Sequence, residues 1–302
     1  MTRMKTAAAL LLLLAVAPSL LAAEEIGKTF ETNGVTIWYE VRGAGTATPL
    51  IIVNGGPGFD HGYTHLGDPA WDTMARTRRV IWYDQRGTGR SSELKPGQSC
   101  NLADQISDLD ALRSELKLDK FILLGHSWGG YLVMAYTARH PERVEKLLIV
   151  DSAAPKIGDT KFMFNDFFPD TIEKQDAFTF GDEMGDKNAT SEGMKLYLSM
   201  LFYSPEKRDA AMPRLVVSDY RKSVNQSIWG DLQRFDLNPE LAKFRMPVLV
   251  ATGRYDINVA PSVAWKIHKA IPGSRFVIFE KSGHIPYYEE PEAFAKMLAS
   301  FL

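Results

Sequence analysis

Short apolar runs of strand length alternate along this chain with longer segments whose apolar residues recur every three or four positions. Val35–Val41, Leu50–Val53, Val80–Tyr83, Phe121–Leu124 and Leu147–Val150 are of the first kind. The later runs have no polar face, which predicts strands covered on both sides rather than solvent-facing edges. Between them, Leu102–Leu116 sets Leu102, Ile106, Leu109, Leu112 and Leu116 at helical spacing, and Trp128–Arg139 predicts a helix ended by His140-Pro141. Strands and helices in alternation predict an α/β fold, a mostly parallel sheet flanked by helices.

After Asp151 the rhythm breaks. Residues 153–244 lack clear strands, carry a phenylalanine-rich stretch (Phe162, Phe164, Phe167, Phe168, Phe178, Phe180), and then read as helices, including Met194–Tyr203. Pro247–Thr252 and Arg275–Glu280 restore the strands, with helical segments at Pro261–Ala270 and Pro291–Leu302. One core built from 24–152 and 245–302, with a helical cap inserted at 153–244, accounts for this order. At 302 residues and 45% hydrophobic, the chain has enough apolar surface for a single large core.

The first residues predict an export signal covering 1–23. Arg3 and Lys5 precede an apolar core at Ala7–Ala17, and Leu20-Leu21-Ala22-Ala23 offers a small-residue exit, with cleavage expected after Ala23. The alternative, a membrane anchor, needs about 20 apolar residues, and Pro18 interrupts a shorter run. The expected location is therefore periplasmic or secreted, without stable membrane insertion after cleavage. Cleavage removes two of the 35 basic residues and none of the 37 acidic ones, moving the formal charge from −2 to −4. No basic stripe suggests a nucleic-acid partner. The single cysteine, Cys100, rules out an internal disulfide and lies too far from the signal exit for lipid attachment.

The candidate chemistry centres on Gly125-His126-Ser127-Trp128-Gly129-Gly130. A serine hydroxyl is a weak nucleophile, so it must be exposed on a tight turn beside a base, and glycines two positions either side permit that turn. The string alone is modest evidence, but here it joins an apolar strand to a helix, as the mechanism requires. In that setting the partners follow in the order acid, then histidine. Asp256 follows the Pro247–Thr252 strand and His284 follows the last strand, whereas His61, His65, His126, His140 and His268 fit no such position. Asp151 is a rival acid because it also ends a strand. Asn54-Gly55-Gly56-Pro57-Gly58 leaves the Leu50–Val53 strand and offers the Gly56 N–H, with that of Trp128, as oxyanion donors.

Together these segments resemble the proline iminopeptidase-like peptidases (peptidase family S33) of the α/β-hydrolase superfamily. Asn54–Gly58 is similar to their HGGPG loop, Asp84-Gln85-Arg86-Gly87-Thr88-Gly89-Arg90-Ser91 to their DQRGxGxS segment, and Gly125–Gly130 to their GxSWGG elbow. Thr252–Asp256, Gly283-His284 and Tyr288-Glu289-Glu290-Pro291 match as well. The resemblance implies an α/β-hydrolase fold, no metal or organic cofactor, and hydrolysis at an unblocked N-terminus, often proline. It also implies an α-amine held by acids contributed largely by the cap. Asp182, Glu183, Asp186, Glu192, Asp219 and Asp231 are the candidates, with Asp231 and Glu183 put forward as substrate-binding. Asn54 stands where the family has histidine, and the cap departs from the family pattern around Ile228–Phe235.

The expected activity is an exported serine hydrolase forming an acyl-enzyme on Ser127, an aminopeptidase on small peptides. An esterase or lactonase using the same three residues is the alternative, since the aromatic cap suits apolar groups. A non-catalytic ligand-binding module fits the intact Ser, Asp and His poorly. Dehalogenase and epoxide hydrolase chemistry wants an aspartate at position 127.

Overall fold

The computed structural model describes residues 27–302 except 185 and 216–219, and except the side chains of Phe180, Asp182, Glu183 and Lys187. The expected signal at 1–23 lies outside the described residues. Eight strands, β1 (Lys28–Thr32), β2 (Val35–Arg42), β3 (Ala47–Val53), β4 (Arg78–Tyr83), β5 (Phe121–His126), β6 (Val144–Val150), β7 (Val248–Gly253) and β8 (Arg275–Phe279), form one sheet in the order 1-2-4-3-5-6-7-8. β1, β2 and β4 pair antiparallel and all later pairs are parallel. The sheet and its flanking helices are those of an α/β hydrolase.

β1 was not expected from the apolar pattern, because KTFET is polar and sits half-exposed at the sheet edge. Asn33 and Gly34, both at positive φ (47° and 76°), make the two-residue hairpin turn that pairs it with β2. The central strands behave as their composition predicts: every residue of β5 and β7 is buried. On one face Ile51, Val53 and Leu123 pack with α2 (Leu102–Glu115), α3 (Trp128–Arg139) and α10 (Pro261–Ala270) through Leu109, Leu132 and Val263. On the other, Ile52, Trp82 and Leu124 pack with α1 (Asp68–Ala75) and α12 (Pro291–Phe301) through Trp71, Phe294 and Leu298. Each such side chain contributes about 1.5–3 kcal/mol by leaving water.

Between β6 and β7 run α4 (Phe164–Phe167), α5 (Pro169–Glu183), α6 (Lys187–Ser199), α7 (Pro205–Ala211), α8 (Lys222–Leu232) and α9 (Asn238–Leu241). The helix expected at Met194–Tyr203 is the end of α6, which stops at Ser199. Beyond it, the Tyr203 and Ser204 N–H groups donate to the Glu289 carboxylate instead of to a helix. α11 (Pro286–Glu289) leads into α12. Among the described residues, no helix is long and apolar enough to cross a membrane.

Candidate active site

Ser127 sits between β5 and α3 at φ 58°, ψ −121°, a backbone conformation that L-residues rarely adopt. The glycines beside it are demanded by close approach. A Cβ on Gly125 would lie 2.2 Å from the Gly129 carbonyl oxygen, and one on Gly129 would lie 2.1 Å from that of Val53. The turn is fixed from both sides, since the Ser127 N–H donates to the Val150 carbonyl and its own carbonyl accepts from Gly130. The result lifts the Ser127 side chain out of the strand end and into a cavity of about 520 Å³ that His284 also lines.

The loops after β7 and β8 bring Asp256 and His284 together, both almost fully buried. Asp256 Oδ2 lies 2.8 Å from His284 Nδ1, while Oδ1 accepts the backbone N–H groups of Asn258 and Val259 at 2.9 Å. Asp151, the rival acid, lies beside Asp256, and a carboxylate oxygen of each falls within 4.8 Å of a His284 ring nitrogen. Asp151 Oδ1 accepts the Gly253 N–H at 2.8 Å, and its Oδ2 is buried without a hydrogen bond. Burial, reinforced by the Asp256 charge, pushes the Asp151 carboxyl well above its ordinary range. Asp256, not this neutral acid, makes the 2.8 Å contact with His284 Nδ1.

The loop after β3 runs directly against the serine: a Cβ on Gly55 would fall 2.5 Å from Ser127 Cβ. Gly56, at φ 55°, lines the cavity beside Ser127. The Trp128 N–H is the first of α3, one of the donors that have no acceptor within their own helix. Asn54 does what its side-chain amide permits. It donates to the carbonyls of Gly55 (3.1 Å) and Phe59 (3.0 Å) and accepts from Gln85, whose Oε1 in turn accepts the Trp128 indole N–H. The amide thus ties the loop to the DQRG segment. Asp84 of that segment accepts from the His61 N–H, His61 Nδ1 and the Arg90 N–H. Arg86 forks onto buried Asp108 at 2.6 and 2.7 Å.

Two residues that sequence reasoning passed over join these parts. His126 is fully buried, and burial, with the neighbouring His284, holds it well below its ordinary value, so it is neutral. Its Nδ1 accepts from the Tyr63 hydroxyl (2.8 Å), which accepts the Gly55 N–H, and its Nε2–H donates to the His284 carbonyl (2.7 Å). The loop after β3 and the His284 loop are therefore linked through one imidazole. Glu289 accepts the N–H groups of Gly283 (2.6 Å), Tyr203 (2.9 Å) and Ser204 (2.8 Å), fixing the His284 loop to the segment after α6. Its place in a Tyr-Glu-Glu-Pro tail was the available signal.

Of the acids expected in the cap to bind substrate, none of those among the described residues lines the cavity. Asp231 lies at the start of α2, where its carboxylate accepts the Leu102 N–H at 2.9 Å, and it does not line the cavity. Asp186 caps α6, and Glu192 pairs with Lys195 on the surface. Asp219 and the side chains of Asp182 and Glu183 lie outside the described residues. The acids that do line the cavity, Glu40, Asp60 and Asp84, come from the core. Glu40, His61 and His65 bring possible metal-ligating atoms within 4.8 Å of one another, as do Asp60, His61 and Asp84. Both groups are already engaged internally: His65 lies 3.2 Å from Glu40 and 2.8 Å from Asp68. Although burial opposes it, these two acids raise His65 to about 9, which makes it a cation between carboxylates.

The sequence matches the α/β-hydrolase fold family over residues 48–291. A proline iminopeptidase of Saccharolobus solfataricus is 30% identical, over 89% of this chain and 89% of its own length. Among solved structures, an esterase of Exiguobacterium antarcticum superposes with a TM-score of 0.68 at 26% identity, over 89% of this chain and 96% of its own. An enol-lactonase of Burkholderia xenovorans gives 0.70 at 23% identity, over 91% and 99%, and shares the fold.

Proposed function

Since the chain belongs to the α/β-hydrolase fold family, and within it to the proline iminopeptidase-like hydrolases, we propose that it is an exported aminopeptidase on small peptides, working through an acyl-enzyme on Ser127. The observation that carries this reading is the Asp256–His284 contact of 2.8 Å at the cavity that holds Ser127. In the reading, His284 takes the serine proton and later returns it to the leaving amine, and Asp256 fixes the ring and stabilises its charged form. The Gly56 and Trp128 N–H groups receive the oxyanion. A free α-amine needs negative charge opposite it once desolvated. Among the described residues, Asp60 lines the cavity as an acid that can face it, whereas Glu40 is paired with the His65 cation and Asp84 with His61.

A second reading, an esterase or lactonase with the same three residues, is favoured by the likeness to the Exiguobacterium esterase. One assay separates the two. Turnover of proline naphthylamide but not its N-blocked analogue, abolished in Ser127→Ala, is the expected result. Rapid hydrolysis of short nitrophenyl esters, with no aminoacyl amide turned over, would assign the chain to the second reading. Export is tested separately, by N-terminal sequencing of the mature protein, which is expected to begin at Glu24.

A further inference from the structure

The His284 ring already has a partner on the side that must meet the nucleophile. With its Nδ1 2.8 Å from the Asp256 carboxylate, the neutral ring carries its proton there and presents only a lone pair at Nε2. That lone pair faces Asn258 Nδ2 at 2.8 Å. The amide is held in this orientation from behind. The Tyr197 hydroxyl, on α6, donates to Asn258 Oδ1 at 3.1 Å, and burial, with Asp256 reinforcing it, keeps that phenol protonated. Asn258 is 5% exposed, and Tyr197 lines the cavity with Ser127.

A lone pair that accepts an amide N–H is not free to accept the Ser127 proton. Once protonated, Nε2–H would point at the amide N–H groups. Only if the amide turns over, with Tyr197 accepting instead of donating, does Oδ1 meet Nε2–H. The other titratable groups around the ring act elsewhere. Asp256 is at Nδ1, Asp151 accepts the Gly253 N–H beside Asp256, and the His126 ring lies tilted at 51°, its centroid 4.7 Å away, while donating to the His284 carbonyl.

Resting on the Ser127 reading above, we propose that Asn258 and Tyr197 are positioning residues that latch the base. Through them the helical segment over the cavity sets whether His284 Nε2 is available to Ser127. A substrate that draws the Tyr197 hydroxyl away from Asn258 releases the amide and frees the base. The recognising group is therefore one that bonds a phenol near the scissile bond, such as a substrate carbonyl or amine.

The test is the rate of Ser127 labelling by a fluorophosphonate probe, alongside thermal midpoints. Tyr197→Phe and Asn258→Ala are each expected to label about threefold faster than wild type, the scale of one net neutral hydrogen bond. The double variant should label no faster than Asn258→Ala alone. Asn258→Leu, which keeps the volume without the N–H, should match Asn258→Ala, and if the position 258 variants do not fold, Tyr197→Phe decides. Unchanged or slower labelling in the folded variants, as a packing role predicts, would overturn the latch. Labelling that persists in Ser127→Ala would instead overturn the nucleophile assignment.

Discussion

Two buried carboxyls at strand ends, Asp151 and Asp256, look alike in sequence and differ through their hydrogen bonds. Asp256 accepts two backbone N–H groups and the imidazole proton, an environment built for a charged carboxylate. Asp151 accepts one N–H and faces that charge, so it stays neutral. Folding then requires Asp151 to take up a proton at any pH above the ordinary carboxyl range, and its cost grows as pH rises toward its raised value, by at most about 1.4 kcal/mol per unit. Asp151→Asn keeps the acceptor for Gly253 and removes the titration. The variant is therefore expected to match wild type near pH 4 and to become the more stable protein by pH 7, read from urea midpoints across that range. A difference independent of pH would show that Asp151 is charged in the folded state.

At the scale of elements, the site depends on how loops are tied to one another more than on any helix. The elbow is local: Gly125 and Gly129 permit it, and the strand and helix on either side were legible because apolar periodicity reports them directly. The His284 loop is not local. Gly283 hangs from Glu289, the His284 N–H donates to the Leu201 carbonyl, and the same Glu289 holds Tyr203 and Ser204. Glu289→Ala leaves three N–H donors without their acceptor. It should lower stability by at least about 2 kcal/mol and reduce kcat at least about tenfold, through loss of His284 placement. Glu289→Gln, which retains an acceptor oxygen, should recover part of both in urea titrations and steady-state assays. Loss of stability with kcat unchanged would reduce Glu289 to a purely structural tie. Sequence reasoning missed this residue, as it missed His126 and strand β1, because side-chain ties and polar edge strands leave no apolar period to read.

Across the whole molecule, the segment between β6 and β7 bonds to the core at several points. Arg221 donates to Gly58, Asn225 to Pro57 and Ser227 to Cys100, besides the Tyr197 and Glu289 contacts. Cys100 is 4% exposed beneath this junction, and burial pushes its thiol up to about 11. The folded protein is therefore expected to resist Ellman's reagent at pH 8 and to react with one thiol per chain only on unfolding. Fast reaction of the native protein would mean that α8 opens away from α2. By itself, the sequence determined the parallel sheet, the helices α2, α3, α10 and α12, and the order in which Ser127, Asp256 and His284 leave their strands. Those features follow from local periodicity and turn chemistry. Tertiary structure alone decided which acid meets His284 Nδ1, which acids face the cavity, and that Asn258 meets His284 Nε2. Such contacts join residues far apart in the chain, and their energies depend on burial and distance, which no local pattern encodes.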